Sequence, residues 1–286
     1  MRAPAPQPAG TTSVSKGRPT TAVLIVSCDR YADLWPHFFG CFFRYWGDCP
    51  YRLILGTNNL RYDNPRVTTV CIGEDKDYSS NLAAMLREID EEWVIILVED
   101  ILFSAPVDSK RMVALICAMQ EDGVVHARLL YNKYSQHNLL PTCGPAASGI
   151  SELPVGVPYR AALNAGLWRK ADLLGLLREG ESAWEFERHG SMRSFGLLGR
   201  FVSVARPGGE PLFCWEHGVI KGQWTWEAAR FIRRRAKTGP LRRPVQSFGS
   251  FLYLQIYNSL RYVIFWLAYK IYGSQGLMKV IRLRGN

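Results

Sequence analysis

Short runs of consecutive apolar residues alternate along the chain with segments whose apolar positions recur every three or four residues. Residues 22–27 (AVLIVS) form a continuous, β-branched run, the pattern of a strand buried on both faces. Residues 33–46 carry aromatic and aliphatic side chains at helical spacing. Residues 51–57 and 67–72 read as two further strands, separated by the turn formers Asn58-Asn59 and Asp63-Asn64-Pro65. Residues 78–89 place Leu82, Met85, Leu86 and Ile89 on one helical stripe, and residues 93–98 (WVIILV) form the strongest strand, which stops abruptly at Glu99-Asp100. A helix from about 108 to 120 and a strand over 124–130 complete the alternation. The pattern predicts an α/β fold of Rossmann type, a mostly parallel sheet flanked by helices on both faces.

Beyond Leu130 the alternation fails. Residues 131–159 are rich in Pro, Gly, Ser and Asn, and a loop of that length in a compact domain is expected to be functional or mobile. Residues 162–168 then read as a strand, 170–179 as a helix, 184–188 as a short helical piece, and 201–205 and 212–215 as short strands closing the body. No internal repeat is visible, nor a G-x-x-x-x-G-K-[ST] phosphate loop or a G-x-G-x-x-G fingerprint.

Composition narrows the class. With 48% apolar and 12% aromatic residues, a 286-residue chain has ample material for a core and is not globally disordered. Its seven cysteines include no C-x-x-C pair, which argues against a disulfide framework or a cysteine zinc site and for a reducing cytoplasm. Residues 1–20 are Pro-, Ala-, Ser- and Thr-rich without an apolar run, the composition of a loose leader rather than a signal peptide. Charge is distributed unevenly: of 35 Lys and Arg residues, twelve lie in 228–286, where there is no Asp or Glu. The rest of the chain is close to neutral, so attraction for anions is concentrated in one C-terminal segment and a nucleic-acid-binding face is disfavoured. The expected organisation is a leader (1–20), a catalytic body (21–227) and a basic, aromatic helical tail (228–286).

Candidate chemistry gathers at strand ends. Ser27-Cys28-Asp29-Arg30-Tyr31 follows the first strand, at the edge where open α/β sheets bind ligands, and suits a base or ribose, although an ordinary helix-capping turn uses the same residues. Glu99-Asp100 leaves the strongest strand as paired carboxylates, suited to Mg²⁺ or Mn²⁺, or to a solvated acidic turn. Asp77-Tyr78-Ser79-Ser80-Asn81 opens a helix, either as an anion site or as simple capping. In Glu181-Ser182-Ala183-Trp184-Glu185-Phe186-Glu187, a carboxylate among aromatics can act as general base while a Trp face packs on a sugar ring. Residues two apart on a helix diverge, so only one of Glu185 and Glu187 is expected to face a pocket. Further on, His217 offers a third metal ligand and Lys221, beside Gly222, a partner for a diphosphate.

The run VLIVSCDRYADLWPHFFGCFFRYWGDCPYRLILGTN resembles the opening of bacterial GT-A-type glycosyltransferases from surface-polysaccharide clusters. Later blocks match in order: DYSSNLAAMLREI, WVIILVEDILF, YRAALNAGLWRKADLLGLL, ESAWEFERHGSMRS and VIKGQW, so that the resemblance covers about residues 22–224. It implies a nucleotide-sugar donor, with Ser27 and Asp29 where the nucleotide is held and Ser80 and Asn81 beside the sugar-nucleotide; Arg30 and Lys221 join the donor-site candidates on the reading of the residues themselves. It places Glu99 and Asp100 where such enzymes carry an Asp-x-Asp metal motif, with His217 at the position of a C-terminal metal-binding histidine. Glu187 falls where the acceptor-activating carboxylate is expected; Glu185 is the alternative base, and Trp184 is expected to form part of the acceptor platform. The chain departs from the family pattern after Asp100, where Ile101 and Leu102 replace a literal Asp-x-Asp.

The tail carries Arg230, Arg233, Arg234, Arg235, Lys237, Arg242 and Arg243, followed by residues 251–273, of which 17 are apolar. The longest uninterrupted apolar run there, 262–269, falls short of a span of about 20 residues, so an interfacial helix on an anionic membrane surface is expected. The alternative is a helix pair docked on the body or on a partner chain. Together these features describe a cytoplasmic enzyme, peripheral on the inner membrane face, that transfers sugar to a lipid-linked or polysaccharide acceptor. A sugar nucleotidyltransferase and a non-catalytic membrane-docking module are the alternatives. The first of these lacks its usual Gly-rich loop, because SCDRY contains no glycine.

Overall fold

A computed structural model describes residues 20–129, 150–155, 159–203 and 212–260, together with positions 263, 264, 267 and 271. The leader, most of the 131–159 loop, Ala205 and the end of the tail lie outside the described residues.

The fold is mixed α/β. The strands of the main sheet are β1 (Thr21–Val26), β2 (Arg52–Thr57), β3 (Val67–Cys71), β4 (Trp93–Val98), β6 (Val124–Arg128), β7 (Ser151–Glu152), β8 (Gly166–Arg169) and β9 (Arg200–Ser203). They are ordered β3-β2-β1-β4-β8-β6-β9-β7. The half built from β3, β2, β1 and β4 is parallel throughout, β6 and β9 are parallel to each other, and β8 and β7 run antiparallel to their neighbours. The mostly parallel sheet expected from the sequence is thus present.

Strand side chains alternate between two apolar layers, which is why β1 and β4 read as unbroken apolar runs. Val23, Ile25, Ile95 and Leu97 enter one layer, where α1 (Trp35–Tyr45) supplies Trp35, Phe38, Phe39 and Phe42. Ala22, Leu24, Val94 and Ile96 enter the other, against Leu82, Met85 and Leu86 of α2 (Tyr78–Arg87) and Phe186 of α5 (Ala183–Arg193). The helix expected over 33–46 begins as a 3₁₀ turn, Asp29–Leu34, and becomes α-helical only at Trp35, with Pro36 in its first turn.

Three features depart from the sequence reading. Immediately after Asp100 the chain forms a short strand, β5 (Ile101–Phe103), which pairs antiparallel with β10 (Trp215–His217). A two-residue hairpin follows, β11 (Val219–Ile220) and β12 (Gln223–Trp224). Packing on the body also continues past the boundary expected at 227. In α6 (Trp226–Phe231) and the π-helical turn Ile232–Ala236, the side chains of Ala228, Ala229, Phe231, Ile232 and Ala236 belong to the core, and Arg44 donates to the carbonyl of Arg235 at 2.9 Å. The basic residues Arg233, Arg234 and Arg235 lie exposed on this segment, so a charge-rich stretch conceals an apolar stripe. From residue 248 a helix projects with Phe248, Leu252, Tyr253, Ile256, Tyr257 and Leu260 exposed.

Candidate active site

The carboxyl ends of β1 and β4 open into a cavity of 410 Å³. Ser27, Cys28 and Tyr31 line it from β1, Glu99 and Asp100 from β4, Asp75, Tyr78 and Asn81 from the start of α2, and Val219, Lys221 and Gly222 from the β11–β12 hairpin. Four chain segments remote in sequence therefore bring Ser27, Asn81, Glu99, Asp100 and Lys221 into one concave site at the edge where α/β sheets bind ligands.

Glu99 and Asp100 part company. Glu99 is 8% exposed, and burial, followed by the charge of Asp100, pushes its carboxyl up to about 8. Asp100 accepts a hydrogen bond from, or shares a proton with, His217 Nε2 at 3.0 Å. Burial works against a charged His217, but the hydrogen bond and charge of Asp100 outweigh it and raise the imidazole above its usual range. The β5–β10 ladder sets this pairing, because it holds His217 opposite Ile101, one residue from Asp100. Gly218 closes the arrangement. Its N–H donates to the carbonyl of Asp100 at 2.6 Å, and a Cβ there would meet that oxygen at 2.9 Å.

Among the described residues, no three His, Cys, Asp or Glu side chains cluster to hold a metal ion. The donors present fit a divalent cation at two points, the Asp100 carboxylate and the His217 imidazole. Such a hard ion takes its remaining ligands from substrate phosphates and water. Glu99 stands next to Asp100 on the same cavity wall.

Lys221 is the first residue of a hairpin turn and stands at φ 49°, with Gly222 at φ 77°. Positive φ at both central positions matches the twist of the flanking strands, and an Asn or Gly is the usual occupant of the first. A lysine held there carries local strain at the cavity wall.

The other sequence-predicted residues take different places. Both carboxylate oxygens of Asp29 accept from the N–H of Asn59 at 3.1 Å, and Oδ1 also accepts from Asn58 and Leu60 at 3.2 and 3.1 Å. Burial opposes its charge, but the N–H groups of Leu60, Asn59 and Asn58 hold the carboxyl below the usual range. Asp29 thus staples the end of β1 to the loop after β2. Arg30 is exposed beside it. Ser80 donates to Asp77 at 2.6 Å within the α2 cap, which leaves Asn81 as the member of that pair lining the cavity. Asn81 is braced by Asp75, whose carboxylate accepts from its Nδ2 at 2.7 Å.

On α5 the two glutamates separate. Glu185 closes a capping box with Ser182 and is held below the usual carboxylate range by the Ser182 hydroxyl and N–H. Glu187 points inward, where its Oε1 accepts from the N–H of Leu163 at 3.1 Å. Burial pushes it up to about 7, against the pull of the Leu163 N–H and Arg128. The geometry offers no support for Glu185 as a base. Trp184, at the start of the helix, is 74% exposed.

Two residues were given no site role by the sequence. Tyr78 lines the cavity; burial raises its phenol, followed by the charges of Glu187 and Glu99. Arg128 ends β6, is buried, and has an Nε without a partner among the described residues. Burial lowers it to about 10, opposed by the charge of Glu187. A charged residue closing the apolar strand VVHAR was the only available signal.

No family model matches the chain, and no curated protein sequence matches it. Among solved structures, S. aureus TarS (residues 1–349) aligns over 64% of this chain and 57% of its own, with 9% identity and a TM-score of 0.44. The same TarS fragment in complex with UDP-GlcNAc aligns over 68% and 60%, with 9% identity and a TM-score of 0.42. The mannosyltransferase PcManGT from Pyrobaculum calidifontis, in complex with GDP-Man and Mn²⁺, aligns over 95% and 77%, with 14% identity and a TM-score of 0.48.

Proposed function

We propose that the chain is a glycosyltransferase that moves a sugar from a nucleotide-sugar donor to a lipid-linked or polysaccharide acceptor. The observation that carries this reading is a strand-end cavity, lined by Ser27, Asn81, Asp100 and Lys221, together with a half-buried carboxylate, Glu187, pushed up to about 7 on α5, the helix packed against α2. The ordered sequence blocks that resemble GT-A-type enzymes support the same assignment.

In this account Ser27 and the Asp29-stapled turn receive the nucleoside, while Asn81 and Lys221 face the sugar and its diphosphate. Glu187 takes the proton from the acceptor hydroxyl as that oxygen attacks the anomeric carbon. The bond to the donor diphosphate breaks, and the configuration at carbon inverts. A base near neutrality is suited to that transfer, and general-base assistance of this kind contributes about 10²–10⁴-fold. Lys221 stabilises the charge that develops on the leaving group. Asp100 and His217 are the residues that would hold a Mg²⁺ or Mn²⁺ ion, which when bound neutralises diphosphate charge. Exposed Trp184 supplies an apolar face for an acceptor sugar.

The helix from 248 is read as the attachment to an anionic membrane surface. Its exposed apolar residues follow, along the chain, the exposed Arg233, Arg234, Arg235, Lys237 and Arg242. Among the described residues, no helix is long and apolar enough to cross a membrane. The donor reading is tested by thermal shift against a panel of nucleotide sugars. A rise in midpoint with one of them, lost in Asp100→Ala, is expected; no shift with any would contradict it.

A further inference from the structure

Residues 243–246 lie beyond the boundary suggested by the charge distribution, yet they grip the donor cavity from two sides. Arg243 donates from Nε and Nη2 to the two carboxylate oxygens of Asp33 at 2.8 and 2.6 Å, and from Nη2 to the carbonyl of Arg30 at 2.8 Å. The same guanidinium lies 4.5 Å from the centre of the Tyr31 ring, and Tyr31 lines the cavity. Two residues on, Val245 bridges to Trp224. Trp224 N–H donates to the carbonyl of Pro244, and Gln246 N–H donates to that of Trp224, both at 2.9 Å. Trp224 ends the hairpin whose turn, Lys221-Gly222, forms another wall of the same cavity.

This combination of contacts is specific to arginine. A planar fork can pair with both oxygens of a carboxylate while its flat face covers an aromatic ring, and a lysine ammonium cannot do both. The pair is well shielded, with side-chain exposures of 16% for Arg243 and 18% for Asp33. Both its partners and its ring belong to the turn after β1, so the guanidinium fixes that turn from a distance of 210 residues in sequence.

We propose that Arg243 is a positioning residue of the donor site. By pairing with Asp33 and covering one face of Tyr31, it holds the ring and the 29–31 turn in the orientation that receives the nucleoside end of a nucleoside diphosphate. This rests on reading the cavity as the donor site. Arg243 itself does not line the cavity and acts through Tyr31.

The test is calorimetric titration of the full chain with UDP, GDP, ADP and dTDP, with thermal unfolding recorded for every variant. Wild type is expected to bind at least one of them, and Arg243→Ala to weaken that binding by ~10-fold, a cation–π and pairing loss expressed as affinity. Arg243→Lys should recover only part of it. In a Tyr31→Ala background, Arg243→Ala should change the affinity by less than about twofold, because two residues acting through one contact are not additive. Asp33→Asn, which leaves Arg243 in place, should weaken binding in the same direction and serves if Arg243→Ala does not fold. Unchanged affinity in folded Arg243→Ala overturns the proposal, as does equal weakening with and without Tyr31. If wild type binds none of the four nucleotides, the donor-site reading itself fails and the proposal falls with it.

Discussion

Glu185 and Glu187 differ in environment more than in sequence. One caps its own helix through Ser182, while the other turns inward to accept from Leu163 N–H with Arg128 as its nearby cation. Sequence spacing alone indicates that one of them faces inward; it does not say which, because the choice depends on α5 docking against residues 160–163. Burial raises Glu187, so the folded protein favours its protonated form. The associated stability is complete below the ordinary carboxylate range and is lost as pH rises through about 7. Glu187→Gln is therefore expected to gain in thermal midpoint relative to wild type between pH 5 and pH 8, measured by calorimetry at a series of pH values. The Asp100–His217 pair leads to a second expectation. A methyl group at position 218 would press on the Asp100 carbonyl, a backbone atom that yields only by shifting the strand. Gly218→Ala should destabilise by about 1–3 kcal/mol, as overpacking does, and should lower transfer more than Gly175→Ala, where a Cβ meets nothing within 4 Å. Urea melts and turnover of the two variants check this.

The long elements were legible and the short ones were not. β1, β4 and α2 announce themselves because burial on both faces, or on one helical stripe, imposes a local period. The β5–β10 ladder has three residues on each side and joins segments more than a hundred residues apart, so no local period exists to detect. It is this ladder that brings His217 to Asp100. The reach of α5 to Arg193 was also hidden, although its start was marked by Ser182 and Glu185, a capping box. At the C-terminal end, counting charges concealed an amphipathic segment: Arg230 and Arg233–Arg235 separate Ala229, Phe231, Ile232 and Ala236, all of which are buried. The expected consequence is a sharp dependence on where the chain is cut. Ending it after Ser247 should leave a cooperative unfolding transition close to that of the full chain. Ending it after Trp226 removes Phe231 and Ile232, each contributing about 1.5–3 kcal/mol when buried, and uncovers Trp224. Against a total of about 5–15 kcal/mol, that cut should abolish or broaden the transition. Circular-dichroism melts of both truncations check this.

For the whole molecule, a nearly neutral body is joined to a basic C-terminal segment and a helix with an exposed apolar stripe. The aromatic contacts of Trp226 with Phe248 and Phe251, each 5.3 Å between ring centres, root that helix on the body. Gln255 adds a hydrogen bond to Glu227 at 3.1 Å. A surface of this kind should bind anionic vesicles, with each Lys or Arg near the leaflet contributing about 1 kcal/mol. The binding should weaken as salt shortens the screening length. Co-sedimentation with vesicles at two salt concentrations, for the full chain and for the chain ending after Ser247, tests this; equal sedimentation of the two would contradict it. The central claim, however, is that a nucleotide sugar occupies the cavity and that Glu187 activates the acceptor. The measurement that tests it most directly is the release of nucleoside diphosphate from a nucleotide sugar in the presence of acceptor, followed as a function of pH in wild type and Glu187→Gln. The deprotonated carboxylate is the active form, so wild-type turnover should fall about tenfold per pH unit below about 7, while Glu187→Gln should be slower by about 10²–10⁴-fold and lose that limb. Wild-type turnover in Glu187→Gln with the same pH dependence would contradict the account.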